Sequence, residues 1–155
     1  MPACLPACLP GPQESELQAL AHRPLTENYH HYGVSLHDWR ASRVLPSFFS
    51  LLTTSVDRKG QEFASSIEAR DLPIYAVQWH PERSLFEWGP HEDINRSLEA
   101  RGVMQRLGDF LVEESKRSGH AFRSAEEEAA ALIWNYSPVY TGKNGATPQV
   151  REGQG

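Results

Sequence analysis

The chain has 155 residues, of which 39% are hydrophobic, 10% aromatic and 23% charged, a size and composition that suit one domain with its own core. Fifteen Lys and Arg against twenty Asp and Glu leave a formal charge of −5, the wrong sign for binding a polyphosphate backbone by counterion release, so nucleic acid is not an expected partner. No apolar run approaches the ~18 residues of a spanning helix, and four prolines interrupt the first twelve residues where a signal peptide would need its apolar stretch. A membrane partner is therefore not expected.

The chain opens on a near-repeat, Pro2-Ala-Cys-Leu-Pro-Ala-Cys-Leu-Pro10, which holds both cysteines, Cys4 and Cys8. Proline spacing bars a helix there, and residues 1–13 are predicted to be a disordered extension. Two cysteines so close supply neither a disulfide framework nor a zinc site. From Glu14 the pattern predicts a short amphipathic helix with Leu17, Leu20 and Ala21 on one face, ended by Pro24. Residues 28–36 alternate loosely, with Tyr29, Val34 and Leu36 as the apolar positions. Two strands are expected over 48–54 and 62–68, rich in aromatic and β-branched residues, paired as a hairpin across the turn Asp57-Arg-Lys-Gly60. The second alternates Phe63, Ser65 and Ile67, the mark of a strand buried on one face. Pro73 to Trp79 is apolar except for Gln78 and predicts a strand covered on both faces in an α/β sheet, with His80 just past its carboxyl end.

After a loop with Trp88, Gly89 and Pro90, a long helix is predicted over 95–118, with Val103, Leu107, Phe110 and Leu111 inward and Gly119 as its stop. Ser124 and Glu127 are spaced as a capping box, each reaching the other's backbone N–H, for a helix extending to about Trp134. Glu126 to Glu128 fit as first-turn charge. Residues 143–155 carry no periodicity and are expected to fray.

The chemistry-bearing string is Tyr75-Ala-Val-Gln-Trp-His-Pro-Glu82. A histidine at a strand end with a carboxylate at i+2 is a base with its orienter, because Glu82 can fix the tautomer of His80 across the stiff Pro81 link. Adjacent histidines on an extended segment point to opposite faces and no other ligand is interleaved, so His30, His31 and His37 do not read as a metal site; His31 and His37 are expected in solvent. Trp79 reads as core packing. Asn95-Arg-Ser97 and Asn135-Tyr-Ser137 match the glycosylation rule, the second weakened by Pro138.

Gln78-Trp79-His80-Pro81-Glu82 after an apolar strand resembles the His-Pro-Glu motif of class I glutamine amidotransferase-like hydrolases, and the flanking blocks resemble the folate gamma-glutamyl hydrolases among them. Those blocks are Pro24-Leu-Thr-Glu-Asn28 with His30, the stretch from Phe48-Phe49 to Asp57, Glu87-Trp88, and Ser137-Pro-Val-Tyr-Thr-Gly142. The resemblance spans residues 14–142 and follows the family's C-terminal half. It implies an α/β fold, part of a flavodoxin-like three-layer sheet, whose C-terminal portion carries a β-hairpin and two C-terminal helices. It further implies a Cys-His-Glu hydrolase that removes γ-linked glutamates from folylpolyglutamate or antifolate polyglutamate, with His80 as general base, Glu82 as orienting carboxylate and His30 beside the substrate. No cofactor or metal is implied, and a homodimer is a candidate assembly.

Family members carry their nucleophile in a Gly-x-Cys-x-Gly elbow well upstream of His-Pro-Glu. Cys8-Leu9-Pro10-Gly11 is a poor substitute, since Pro10 bars the helical start and no buried strand precedes Cys8. The expectation is a chain without the nucleophile and inactive alone. The alternatives are a non-enzymatic truncated isoform serving as an interaction module, and a glutamine amidotransferase-like domain. The family resemblance implies a lysosomal or secreted location, whereas the absence of a signal in this N-terminus points to the cytoplasm if the chain is expressed as written.

Overall fold

The structure, a computed structural model, describes residues 14–87 and 93–137. The expectations for residues 1–13 with Cys4 and Cys8, for Trp88, and for residues 138–155 lie outside the described residues. In chain order the elements are α1 (Glu14–His22), α2 (Leu36–Ala41), α3 (Leu45–Phe48), β1 (Phe49–Val56), β2 (Glu62–Ala69), β3 (Tyr75–Val77), α4 (Arg83–Phe86), α5 (Leu98–Lys116) and α6 (Ala125–Ala131), followed by a 3-10 turn over Ile133–Asn135. Helix and strand are mixed, as an α/β reading requires. The strands form one antiparallel sheet in the order β1-β2-β3.

The hairpin expected across residues 57–60 is present as β1 and β2. Its turn is held from within: Asp57 Oδ1 accepts the backbone N–H groups of Gln61 and Lys59, each at 2.8 Å, and Gly60 takes φ +81°, a conformation costly for any side-chain-bearing residue. Pairing runs from Phe49 opposite Ala69 to Val56 opposite Glu62, with register shifts around Leu51 to Thr54. The expected one-sided alternation of β2 is not found, because Phe63, Ala64, Ser65 and Ser66 are all buried. β2 is the central strand, and it is covered twice over. The 33–39 segment closes on Phe63 and Ala64, where Ala64 N–H donates to the Val34 carbonyl at 2.9 Å, and Ser66 Oγ receives the Trp79 indole N–H at 3.4 Å. The four buried positions suit this double cover, three of them being small.

The predicted strand from Pro73 to Trp79 contracts to three residues, paired through Ser66 with Val77, Ile67 with Ala76 and Glu68 with Tyr75. It is not covered on both faces, since Ile74 and Val77 remain 42% and 38% exposed, and among the described residues β2 is its one paired neighbour. Residues 28–36 also depart from expectation. Their only ladder contact is an isolated bridge of Ser35 with Phe63, Tyr29, Tyr32 and Val34 are exposed, and Leu36 begins a helix. That helix, α2, has a clear local cause. Ser35 Oγ accepts the Asp38 N–H at 3.0 Å and donates to its carboxylate at 2.7 Å, and Leu36 and Trp39, three residues apart, bury the same side.

The core joins α1, the segment after β3, and α5. Ala19, Leu25, Trp79, Ala100, Val103 and Met104 form it, with Leu20, Leu85 and Leu107 packed alongside. In α1 Ala19 is buried while Ala21 is exposed, one step around the helix from the expected face. α5 starts on Ser97, whose Oγ accepts the Ala100 N–H at 3.1 Å, and its Phe110 meets Tyr75 edge-on at 4.8 Å. Leu111, expected inward, is 65% exposed: it borders an apolar groove of about 400 Å³ between α5 and β3, lined also by Ile74, Val77 and Phe110. α6 ends at Ala131 rather than near Trp134, because Asn135 folds back to donate to the Ala129 and Ala130 carbonyls. Its cap is half of the expected box. Ser124 Oγ accepts the Glu127 N–H at 3.2 Å, but the Glu127 carboxylate takes the Arg123 N–H instead.

Backbone donors, that of Gln61 foremost, and the nearby Lys59 charge hold the Asp57 carboxyl below its ordinary value of 3.8. A folded-state value below the unfolded one means that the stabilisation is present above that ordinary value and is lost as pH falls through the folded value. Thermal unfolding between about pH 7 and about pH 3 is therefore expected to lose less Tm to acid in Asp57→Ala than in the unsubstituted chain. Identical acid slopes would remove this carboxylate from the hairpin's stability.

Candidate active site

The His-Pro-Glu string follows β3 along a path fixed on both sides. Gln78 N–H donates to the Ser65 carbonyl at 2.8 Å, continuing the β2 ladder one residue further, and Trp79 turns into the core. With Trp79 inward, alternation sends the next side chain outward, and His80 sits at the surface with its own N–H donated to the Glu27 carbonyl at 2.9 Å. Glu82 is the N-cap of α4, its carbonyl accepting the Leu85 and Phe86 N–H groups, which leaves the carboxylate free.

That carboxylate meets the imidazole. His80 Nδ1 lies 2.9 Å from Glu82 Oε1, with the two side chains 38% and 58% exposed. Since an ionised carboxylate only accepts, this contact places the proton on Nδ1 and leaves the lone pair on Nε2. Nε2 is 3.3 Å from the Tyr29 carbonyl oxygen, so a protonated Nε2 has an acceptor within reach. The pair expected from the sequence is thus assembled.

His30 belongs to the same neighbourhood but faces elsewhere. It follows Tyr29 directly, its Nδ1 is 2.9 Å from the Tyr32 carbonyl, its Nε2 is 3.4 Å from Asn28 Oδ1, and its ring meets Phe63 edge-on at 5.4 Å. His31 and His37 are exposed, and Trp79 is core, as expected. Among the described residues no three His, Cys, Asp or Glu side chains gather as metal ligands.

Arg83 is the residue that sequence reasoning missed. It is 5% exposed, and its Nε and Nη2 grip the Glu87 carboxylate, the latter at 3.0 Å. Its Nη1 is 3.7 Å from Glu27 Oε1, and its guanidinium lies 4.8 Å from the centre of the Tyr29 ring. One cation thereby ties the 27–29 segment, whose carbonyls receive His80, to the helix that follows Glu82. The available signal was Arg83 and Glu87 at i,i+4 spacing directly after the motif. A cleft of about 590 Å³ opens on the other side of this segment, between residues 27–31 and the hairpin tip.

No family model matches the chain. It is 38% identical over 134 residues to gamma-glutamyl hydrolase B of Dictyostelium discoideum, covering 86% of this chain and 39% of that protein. Against the human gamma-glutamyl hydrolase it is 40% identical over 126 residues, 81% of this chain and 39% of the relative. The probable gamma-glutamyl hydrolase 3 of Arabidopsis thaliana is 37% identical over 130 residues, 84% of this chain and 36% of the relative. The chain belongs to the gamma-glutamyl hydrolase family. It does so as a partial member, spanning about two fifths of the length of these relatives.

Removing one partner of a buried ion pair leaves the others uncompensated, at a cost of about 3–5 kcal/mol. Arg83→Ala is expected to lower the urea unfolding free energy by about 3 kcal/mol and to shift the His80 ring resonances as Tyr29 is released. Arg83→Lys recovers little of either, because an ammonium cannot reproduce the two-pronged grip on Glu87. Stability within about 0.5 kcal/mol of wild type in Arg83→Ala would show that the network does not hold the site.

Proposed function

We propose that this chain carries the acid–base part of a gamma-glutamyl hydrolase site, with His80 as general base and acid and Glu82 as its orienting carboxylate. The observation that carries this reading is the 2.9 Å contact of His80 Nδ1 with Glu82 Oε1, which occupies Nδ1 and leaves proton transfer to Nε2, the nitrogen that lies 3.3 Å from the Tyr29 carbonyl. The partner nucleophile is a cysteine in a Gly-x-Cys-x-Gly elbow, a motif not found in residues 1–155. The Cys thiol gives its proton to His80 Nε2, and the thiolate adds to the carbon of the γ-amide carbonyl. Collapse breaks the C–N bond, and Nε2–H returns the proton to the departing amine of glutamate. Water, deprotonated by Nε2, then hydrolyses the thioester to the acid and the free thiol.

The substrate class is a folylpolyglutamate or an antifolate polyglutamate, and His30 lines the approach to it. The whole domain is a flavodoxin-like class I amidotransferase-like sheet of which this chain is the C-terminal part, and the open side of β3 is where that sheet continues. A lysosomal or secreted location and a homodimer belong to the same reading. Kinship with the gamma-glutamyl hydrolases is what supports these parts of the reading.

Two measurements check the proposal. The purified 155-residue chain is expected to release no glutamate from a γ-linked folate diglutamate; turnover abolished by Cys8→Ser would overturn the assignment of an external nucleophile. In a chimera joining residues 14–142 to the nucleophile-bearing part of the Dictyostelium relative, His80→Ala is expected to lower kcat by about three orders of magnitude or more, and Glu82→Gln by less. Losses below about tenfold for both would remove His80 from the mechanism.

A further inference from the structure

The cleft of about 590 Å³ beside the candidate site is bounded by two segments of different character. One is the 27–31 stretch, in which the Tyr29 carbonyl contacts His80 and the Glu27 carbonyl receives the His80 N–H. The other is the tip of the β1–β2 hairpin, with Arg58 and Lys59 both exposed and both on the cleft wall. The acidic groups of the wall are already committed. Asp57 spends its carboxylate on the backbone N–H groups of Lys59 and Gln61, and Glu27 lies against the buried Arg83. Beyond the through-space pull of Lys59 on Asp57, neither tip cation forms an ion pair among the described residues. His30 and His31 complete the wall.

With both wall carboxylates engaged and both tip cations exposed without a close ion pair among the described residues, the cleft offers an anion two side-chain donors, and its size admits an extended chain rather than a single ion. We propose that Arg58 and Lys59 form a carboxylate-reading subsite that holds the free α-carboxylates of a γ-glutamyl tail in the cleft across the 27–31 segment from His80. This deepens the function proposed above and rests on it for the identity of the ligand. A γ-linkage leaves one ionised α-carboxylate on every residue, so the tail presents a row of charges with which a guanidinium and an ammonium pair. The tip is rigid where it matters, because Asp57 and Gly60 fix the turn that carries both cations. Arg58 and Lys59 are positioning residues, remote from any covalent step.

The test is binding of fluorescein-labelled tetra-γ-glutamate to the 155-residue chain, read by fluorescence anisotropy at low ionic strength. Arg58→Gln with Lys59→Gln is expected to weaken binding about tenfold, and added salt to weaken it in the unsubstituted chain. The charge-matched control, Arg101→Gln with Arg123→Gln, removes two exposed cations away from the cleft and is expected to change binding less than about twofold. Near-UV circular dichroism verifies that both variants keep their packing, and the salt series on the unsubstituted chain stands even if one does not. Equal weakening by both pairs, a tip variant within about twofold of wild type, salt-insensitive binding, or no binding by the unsubstituted chain each overturns the subsite. Because this readout needs no turnover, loss of the catalytic reading in the chimera would leave it intact, and its failure would leave His80 and Glu82 untouched.

Discussion

The burial of Trp79 is the interaction on which the rest of the structure depends. Its indole is 5% exposed among Ala19, Leu25, Ala100, Val103 and Met104, and its Nε1–H reaches Ser66 on the central strand. One side chain therefore joins α1, α5 and the sheet, which otherwise share few contacts, and truncating a residue of that size in a packed core costs about 3–5 kcal/mol. It also determines where chemistry can occur. A side chain fixed inward at position 79 sends its neighbour at position 80 outward, and Pro81 carries the chain directly into the cap of α4, where Glu82 must stand.

A second constraint closes the arrangement from the opposite side. The His80 ring touches the carbonyl of Tyr29, and the Tyr29 ring lies against the buried Arg83, whose charge is answered by Glu87 and Glu27. The candidate base is thus placed by groups that never touch a reacting atom. An exposed His–Glu pair contributes little to folding by itself. Its geometry is imposed by Trp79 below and by Arg83 beside it.

These two residues also mark how far the sequence could be read. The hairpin was legible because Asp57 and Gly60 carry their own turn chemistry and need no tertiary context, and His80 with Glu82 was legible because two residues of separation on a proline-stiffened link leave little freedom. Arg83 was not, because a charged residue after a motif reads as solvent-facing until its partners at positions 27 and 87 are seen to converge. The extent of β3 is illegible for a related reason. Continuous apolar character from Pro73 to Trp79 says that the segment is meant to be covered, yet cover depends on neighbours that a local pattern cannot supply, and only Tyr75 to Val77 pair with β2. Leu111 failed in the same way, its helical spacing being right and its partner absent from the described residues. α2 is masked in the sequence although Ser35 and Asp38 carry a cap signal, because the loose alternation before it competes for the same residues.

The contrast between the two sides of β3 bears on what the site requires. Toward β2 the segment leading to His80 is ordered by its own backbone N–H groups, Gln78 donating to the Ser65 carbonyl and His80 to the Glu27 carbonyl. Toward α5 and the groove, Ile74, Val77 and Leu111 stay open to water. His80 and Glu82 stand near this boundary, more than a third exposed, where water screens their charges and weakens any pull on a reacting group. Among the described residues the orientation of the pair is built in, whereas low-dielectric surroundings that would strengthen it are not. A surface that covered β3 would supply them without moving either residue, which is the division expected when backbone contacts fix a catalytic geometry and neighbouring structure sets its strength.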